Sequence, residues 1–179
     1  MQSLPEIIET KRLVLRETRA SDARPLFDAY TQDTEVARYT VWRAHKSLVE
    51  TEEFVARCMR DRLTGSALAY VLTLREAPDR PIGMLEARPL SHLCDIGYVL
   101  GRAYWGKGLM PEAICAMTEA ALRSPAIFRV QATCDVDNRA SARALEKSGF
   151  VREGRLERYT VHPNISAEPR PCFLYARCR

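Results

Sequence analysis

The sequence lacks the features that mark membrane-bound and secreted proteins. Its longest apolar stretch, around residues 67–74, is interrupted by Thr73 and is far too short to span a bilayer. Residues 1–6 have neither the charged start nor the apolar run of a secretory signal. We therefore expect no membrane association, and we expect the protein to be cytoplasmic.

Cysteine and histidine are present but are not arranged as metal ligands. No two of the six cysteines have the spacing of a zinc-ribbon pair, and the three histidines are scattered. Most of the cysteines lie in apolar runs, which is typical of small buried side chains in a reducing compartment. Cys134, at the end of a predicted strand, is also expected to be buried rather than reactive. We expect no metal site.

The chain also lacks a strong charge bias, repeats and linkers. Its net charge of +4 is mildly basic for 179 residues, and Lys and Arg form no clustered basic patch. Direct nucleic-acid binding is therefore not expected, whereas anionic ligands fit this balance. The length suits one sizeable core and is too short for two comfortable domains, so residues 1–179 are expected to form a single domain.

Hydrophobic periodicity predicts a mixed order of strands and helices. Strands are expected at residues 12–16, 67–74, 82–88, 95–100, 128–134, 151–161 and 172–177. Helices are expected to begin at Ser21 and Ser47 and to cover residues 111–123 and 138–147, with Gly149 as a C-cap. Short turns between successive strands favour antiparallel hairpins. The pattern predicts an α/β fold of the α+β kind, with a mixed, mostly antiparallel sheet of about seven strands flanked by helices.

One turn, at residues 104–113, has the composition of an anion-binding site. Gly106 and Gly108 flank Lys107 between a predicted strand and a predicted helix. Glycine lets the backbone come close to a ligand, and the first N–H groups of a helix attract negative charge. A Walker turn would place Ser or Thr where Gly108 stands, and a dinucleotide fingerprint would place glycine at Pro111. Both motifs are excluded, and a different phosphate-bearing ligand is expected.

A second segment, residues 138–150, narrows the identity of that ligand. Together with the turn it resembles the GNAT superfamily of acyl-CoA-dependent N-acetyltransferases, and the resemblance extends over residues 8–177. The motifs that fit the order of this family are Arg12-Leu13-Val14-Leu15-Arg16, Ile82-Gly83, Ile96-Gly97-Tyr98-Val99-Leu100, Tyr104-Trp105-Gly106-Lys107-Gly108 and Lys147-Ser148-Gly149-Phe150. More narrowly, the chain looks like the RimJ/RimL-type branch of ribosomal-protein alanine acetyltransferases. The resemblance implies a splayed central sheet, acetyl-CoA as cosubstrate and no metal.

The resemblance also implies which residues hold acetyl-CoA. The pyrophosphate would be bound by the backbone amides of Trp105, Gly106, Lys107, Gly108, Leu109 and Met110. Val99 and Leu100 would offer backbone groups to the pantetheine arm and the thioester carbonyl, and Asn138 would hydrogen-bond the pantetheine or the sulfur region. The family usually has Gln or Arg three residues before the first glycine of the turn, but here Ala103 stands there. Backbone amides are therefore expected to supply most of the phosphate site.

Ser141 is the residue expected to assist the leaving thiolate. Many family members use a tyrosine seven residues after the asparagine, but that position is Leu145 here. Ser141 lies one helical turn from both Asn138 and Leu145, so all three share a helix face. We assign Ser141 the leaving-group hydrogen bond, as the resemblance also implies. The alternative is an ordinary helical serine that faces water.

The sequence does not decide which of several residues acts as the general base. Glu86 and Asp95 are the carboxylate candidates and His92 is a loop candidate, although exposed carboxylates are usually just solvated. A backbone α-amine, with a pKa of about 7.7–8.0, is partly free at neutral pH, whereas a lysine or polyamine amine at about 10.4 needs a base. The expected acceptor is therefore a peptide or protein N-terminal α-amine. A small-molecule amine (polyamine, amino acid or antibiotic), a non-catalytic acyl-CoA-binding module and a homodimer stay open.

Three further groups of residues have a structural and a functional interpretation. A basic stripe at helical spacing is expected to be solvated surface rather than a contact for the CoA 3′-phosphate; it consists of Arg139, Arg143 and Lys147. Three aromatic residues are expected to pack in the core or at its rim rather than to line an acceptor slot; they are Tyr39, Trp42 and Phe54. The resemblance places the proline-rich loop 162–171 over the acceptor entrance.

Overall fold

The computed structural model describes residues 4–179, so the first three residues of the segment in which no secretory signal is expected lie outside it. Eight strands form one sheet in the spatial order β1-β2-β3-β4-β5-β6-β8-β7. They are β1 (Ile7–Glu9), β2 (Leu13–Glu17), β3 (Leu68–Leu74), β4 (Ala77–Leu90), β5 (Leu93–Leu100), β6 (Arg129–Asp135), β7 (Val151–Thr160) and β8 (Arg170–Cys178). The pair β5–β6 is parallel and the other pairs are antiparallel. The predicted mixed sheet is confirmed, and the additional strand is the three-residue β1.

Five α-helices accompany the sheet in the described part of the chain, namely α1 (Ala23–Leu26), α2 (Thr34–Ala37), α3 (Leu48–Thr64), α4 (Leu109–Leu122) and α5 (Arg139–Lys147). At the two predicted helix starts, Ser21 and Ser47, the serine side chain does not cap the helix. Ser21 lies inside a 3-10 turn, where Asp22 accepts a hydrogen bond from the Arg19 amide at 2.8 Å. Ser47 precedes α3, but its side chain makes no capping bond. Asp22 also pairs with Arg16 at 2.7 Å, so this carboxylate ties the turn before α1 to β2.

Alternation along the strands sends neighbouring residues to two hydrophobic layers. Met84 packs with Val55 of α3 and Leu26 of α1, whereas Leu85 packs in the layer that contains Ile114 of α4. Leu85 and Ile114 are fully buried. Burying a side chain of this size contributes about 1.5–3 kcal/mol. The sheet is therefore covered by α1 and α3 on one face and by α4 and α5 on the other.

The sheet opens between β5 and β6. These parallel strands pair from Leu93 to Asp95 on β5, and the register ends there, although β5 continues to Leu100. Because α4 is the crossover from β5 to β6, its first turn lies at the opening. Helix α5 begins just after β6 ends. The splay that the family resemblance implies is thus present, and two helix N-termini meet it.

Candidate active site

A cavity of about 640 Å³ lies at the opening between β5 and β6. Its walls are the end of β5, the turn before α4, the start of α5 and residues 35–40. The cavity brings together most of the residues that the sequence predicts for the site, namely Val99, Leu100, Trp105, Gly106, Gly108, Leu109, Met110, Asn138 and Ser141. Lys107 is not part of the lining, and its ammonium lies 5.4 Å from the centre of the Tyr104 ring.

The turn before α4 is shaped to present backbone amides. Gly106 and Gly108 have φ angles of 75° and 73°, the left-handed region that side chains rarely adopt. Among residues 4–179, no heavy atom lies within 4 Å of the place that a Cβ would take at Gly106. The Glu112 amide donates to the Gly108 carbonyl at 3.4 Å, and this is the first bond of the helical series. The amides that precede Glu112 at the start of α4 therefore have no carbonyl of the same helix to bind. Such an open turn fits a pyrophosphate group.

Trp105 departs from its predicted role in this turn. Its amide donates to the Arg102 carbonyl at 3.1 Å, so this N–H is already committed. The indole Nε1 donates to the Leu100 carbonyl at 2.7 Å and thereby ties the turn to the end of β5. Trp105 consequently holds the shape of the turn, and the amides from Gly106 onward are left as the predicted phosphate-binding groups.

Arg12 and Glu112 fasten the turn to the sheet. Arg12, just before β2, donates from Nη1 to the Lys107 carbonyl at 2.9 Å and from Nε to Glu112 Oε2 at 2.7 Å. The Thr10 hydroxyl donates to the other oxygen of Glu112 at 2.6 Å. Partial burial opposes ionisation, but the bonds from Thr10 and Arg12 lower the pKa of Glu112. The carboxylate therefore stays charged and holds the first turn of α4 in place.

Ser141 faces a second hydroxyl inside the cavity. Its Oγ lies 2.7 Å from the hydroxyl oxygen of Tyr98 on β5, and both residues line the cavity. This contact excludes the alternative of a serine directed only to water. Burial raises the pKa of Tyr98 above its ordinary value, so the phenol keeps its proton. The motifs do not predict Tyr98, because its contact with Ser141 joins residues 43 positions apart.

Asn138, which is predicted to hydrogen-bond the pantetheine or the sulfur region, also caps helix α5. Its side-chain oxygen accepts the Ser141 amide at 3.1 Å and caps α5. That oxygen is therefore engaged by the helix, and it fixes the first turn that carries Ser141. Leu145, at the position of the tyrosine of many relatives, is fully buried in the core and is not part of the cavity.

Comparison with known proteins identifies the family. The family described as an acetyltransferase (GNAT) domain matches residues 12–151. The chain belongs to the GNAT acetyltransferases. It is 31% identical over 149 residues to the N-acetyltransferase YnaD of Bacillus subtilis, covering 82% of this chain and 84% of that protein. It is 27% identical over 166 residues to the [ribosomal protein uS5]-alanine N-acetyltransferase of Escherichia coli, covering 89% and 86%.

A solved structure shows the same fold. The acetyltransferase (GNAT family) from Bacillus anthracis superimposes with a TM-score of 0.82 at 26% identity, covering 96% of this chain and 98% of that chain. The protein is thus an acyl-CoA-dependent acetyltransferase with acetyl-CoA as its cosubstrate, and a non-catalytic module is not supported.

Of the two residues predicted to offer backbone groups to the ligand, Leu100 directs its backbone to the opening and Val99 does not. The Gly101 amide donates to the Ile82 carbonyl at 2.8 Å, toward β4. Backbone groups alternate along an antiparallel strand, so Val99 also directs its N–H and carbonyl to β4. Tyr98 and Leu100 direct their N–H and carbonyl groups to the open side of the strand. There the Leu100 carbonyl already accepts the hydrogen bond from the Trp105 indole. The Leu100 amide and the Tyr98 backbone are therefore the groups that face the opening.

The carboxylate candidates for the general base lie outside the cavity at the opening between β5 and β6. Glu86 and Asp95 both accept hydrogen bonds from the Arg88 guanidinium, on the sheet face that α3 covers. Asp95 is five residues before Leu100 on β5, about 17 Å along the strand. His92 is exposed in the turn between β4 and β5, at the far end of the hairpin. The three candidates are thus separated from Ser141.

The remaining groups divide between core and cavity. Trp42 and Phe54 pack against the α1–α3 layer as expected, whereas Tyr39 lines the cavity. Arg143 and Lys147 are exposed, as expected for a solvated stripe, and both also line the cavity. Cys134 is buried as expected, and burial raises the pKa of its thiol to about 11.

Loop 162–171 is fastened to the segment that forms one cavity wall. The Asn164 side chain donates to the carbonyls of Ala37 and Trp42 at 2.7 and 2.8 Å, and Arg43 donates to the Pro163 carbonyl at 2.9 Å. At the other end of the loop, Arg170 pairs with the buried Asp135 at 2.6 Å. The loop is therefore fixed at both ends beside residues 35–40.

Replacing Arg12 by alanine should raise the Kd of the acetyltransferase for acetyl-CoA by about 10-fold, because hydrogen bonds to charged groups fix the turn. Calorimetric titration with acetyl-CoA measures this change. Arg155→Ala is the matched control, since Arg155 forms an exposed pair with Glu157 at 2.7 Å within β7. Equal affinities for Arg12→Ala and wild type would show that the hydrogen bonds of Arg12 to Lys107 and Glu112 do not position the turn.

Proposed function

We propose that the protein transfers the acetyl group of acetyl-CoA to the α-amine at the N-terminus of a peptide or protein. The observation that carries this proposal is the position of the carboxylates. Glu86 and Asp95 are held by Arg88 outside the cavity, and among residues 4–179 the acidic member of the lining is Glu35, exposed at the rim. An α-amine, of which about a tenth is uncharged at neutral pH, suits a site without a committed base.

The relatives support the same acceptor. The E. coli relative carries the name of an alanine N-acetyltransferase of ribosomal protein uS5, and the similarity covers 89% of this chain. Loop 162–171 and residues 35–40 would form the acceptor entrance, because they border the donor cavity and are fastened to each other. A neighbouring cavity of about 620 Å³, lined in part by Arg38, Arg43 and Pro163, would extend this entrance.

The donor side of the proposed reaction follows from the cavity. The amides after Trp105 would hold the pyrophosphate, and Arg143 and Lys147 at the rim would approach the 3′-phosphate. The Leu100 amide, which faces the opening, would bind the thioester oxygen as it gains negative charge. The amine attacks the carbonyl carbon, the carbon–sulfur bond breaks, and its electron pair leaves on the sulfur beside Ser141.

A thiol-release screen tests the acceptor class. It compares peptides with different first residues, each containing one internal lysine, with spermidine and free amino acids. Peptides with a free α-amine should react at least about 10-fold faster than the same peptides with a formylated N-terminus, and their rate should rise with pH up to about 8. Equal rates for the free and formylated peptides would assign the reaction to lysine, and activity confined to small amines would overturn the proposal.

A further inference from the structure

Tyr98 and Ser141 form a hydroxyl pair that bridges the splay of the sheet. Tyr98 comes from β5, and Ser141 comes from the first turn of α5. Their oxygens are 2.7 Å apart, and the Tyr98 hydroxyl is also 3.3 Å from the Ser141 carbonyl. Both side chains line the donor cavity. This contact restricts the directions in which the two hydroxyl protons can point.

The groups around the pair are protonated over a wide pH range. Cys134 on β6 approaches Ser141, and burial raises the pKa of its thiol to about 11. Tyr175 on β8 has its pKa raised to about 12 by burial and by its hydrogen bond to Glu146. Tyr98 is partly buried, and desolvation of its phenol raises its pKa, so the phenol is a hydrogen-bond donor at neutral and mildly alkaline pH.

A serine hydroxyl has one proton to donate and can accept at its oxygen. When Ser141 Oγ accepts the Tyr98 proton, its own proton is left to point into the cavity, where the sulfur of the donor would lie. We propose that Tyr98 is a positioning residue that aims the Ser141 hydroxyl at the sulfur and strengthens its hydrogen bond to the departing thiolate. This inference rests on the proposed placement of the sulfur beside Ser141, and it holds for any amine acceptor.

Neither hydroxyl of the Tyr98–Ser141 pair gives up its proton during the proposed reaction. As the carbon–sulfur bond breaks, the electron pair moves to sulfur, and the chain of Tyr98, Ser141 and sulfur spreads the charge by hydrogen bonding. The proton that the attacking amine releases passes to the thiolate or to water. Tyr98 and Ser141 both end the step as neutral hydroxyls, as the raised pKa of the phenol requires.

Comparison of CoA with desulfo-CoA tests this inference without an acceptor. A thiol has an ordinary pKa of about 8.5, so most of the CoA is thiolate at pH 9 and little is thiolate at pH 7. In the wild type, calorimetry should show that CoA gains about 5-fold in affinity relative to desulfo-CoA between these pH values. Tyr98→Phe should reduce this gain below about 2-fold while its affinity for desulfo-CoA is unchanged. Tyr175→Phe, which also removes a buried phenol hydroxyl, should keep the wild-type gain.

The outcomes separate the inference from the placement on which it rests. If Ser141→Ala loses the gain and Tyr98→Phe keeps it, the role of Tyr98 is refuted and the sulfur still lies beside Ser141. If the wild type shows no gain, the sulfur is elsewhere and both statements fail, whatever the variants do. With a peptide acceptor, kcat of Tyr98→Phe should fall by about 10-fold at unchanged KM for acetyl-CoA, and the double variant should be no slower than Ser141→Ala.

Discussion

Replacement of Ser141 by alanine is expected to lower kcat by about 100-fold and to leave the Kd for acetyl-CoA within about 3-fold of wild type. The cavity gives the reason. Ser141 is the hydroxyl of α5 that lies at the opening of the sheet, and Leu145 replaces the tyrosine that many relatives use. Its hydrogen bond to sulfur would become strong only when the sulfur gains charge, so its loss affects the transition state more than the bound substrate.

Thiol release with a peptide acceptor gives kcat, and calorimetry gives the affinity for acetyl-CoA. Ser148→Ala is the matched control on the same region of the chain. The Ser148 hydroxyl donates to the Ala144 carbonyl at 2.8 Å, is buried, and does not line the cavity. Its variant should lose stability and keep kcat. An unchanged kcat for Ser141→Ala would remove Ser141 from the reaction.

The local parts of the site could be predicted from the sequence. Gly106 and Gly108 need the left-handed backbone that they adopt, and the helix after them is set by its own periodicity. Asn138 is a strong N-cap residue, so the start of α5 follows from the residue itself. These features depend on neighbours within a few positions, which is the range over which sequence patterns act.

The long-range parts could not be predicted. The Arg12–Glu112 pair joins residues 100 positions apart, and nothing in either segment marks the other as its partner. Periodicity shows that Glu86 and Asp95 lie in strands, but the pairing of both with Arg88 depends on the register of β4 and β5. Register also decides whether a residue points its backbone to a neighbour or to the opening. For that reason periodicity alone does not show that the Val99 backbone turns to β4 while the Leu100 amide faces the opening.

Gly106→Val is expected to weaken acetyl-CoA binding by at least about 100-fold, because a side chain there would stand in front of the amides that receive the pyrophosphate. In the described chain, nothing lies within 4 Å of the new Cβ, so the substitution creates no clash inside the protein. The cost to the fold is the left-handed backbone at φ 75°, about 1–2 kcal/mol for a residue with a side chain. Stability and ligand affinity must therefore be measured together.

Gly65→Val supplies the matched control for this substitution. Gly65 ends α3 with φ 73°, has open space at its Cβ position and lies away from the cavity, so valine meets the same backbone strain there. Both variants should lose a similar amount of Tm in thermal unfolding, and calorimetry should show the loss of acetyl-CoA affinity in Gly106→Val alone. Since the loss of global stability is common to both, a difference in affinity comes from the turn itself. Wild-type affinity in Gly106→Val would place the pyrophosphate elsewhere.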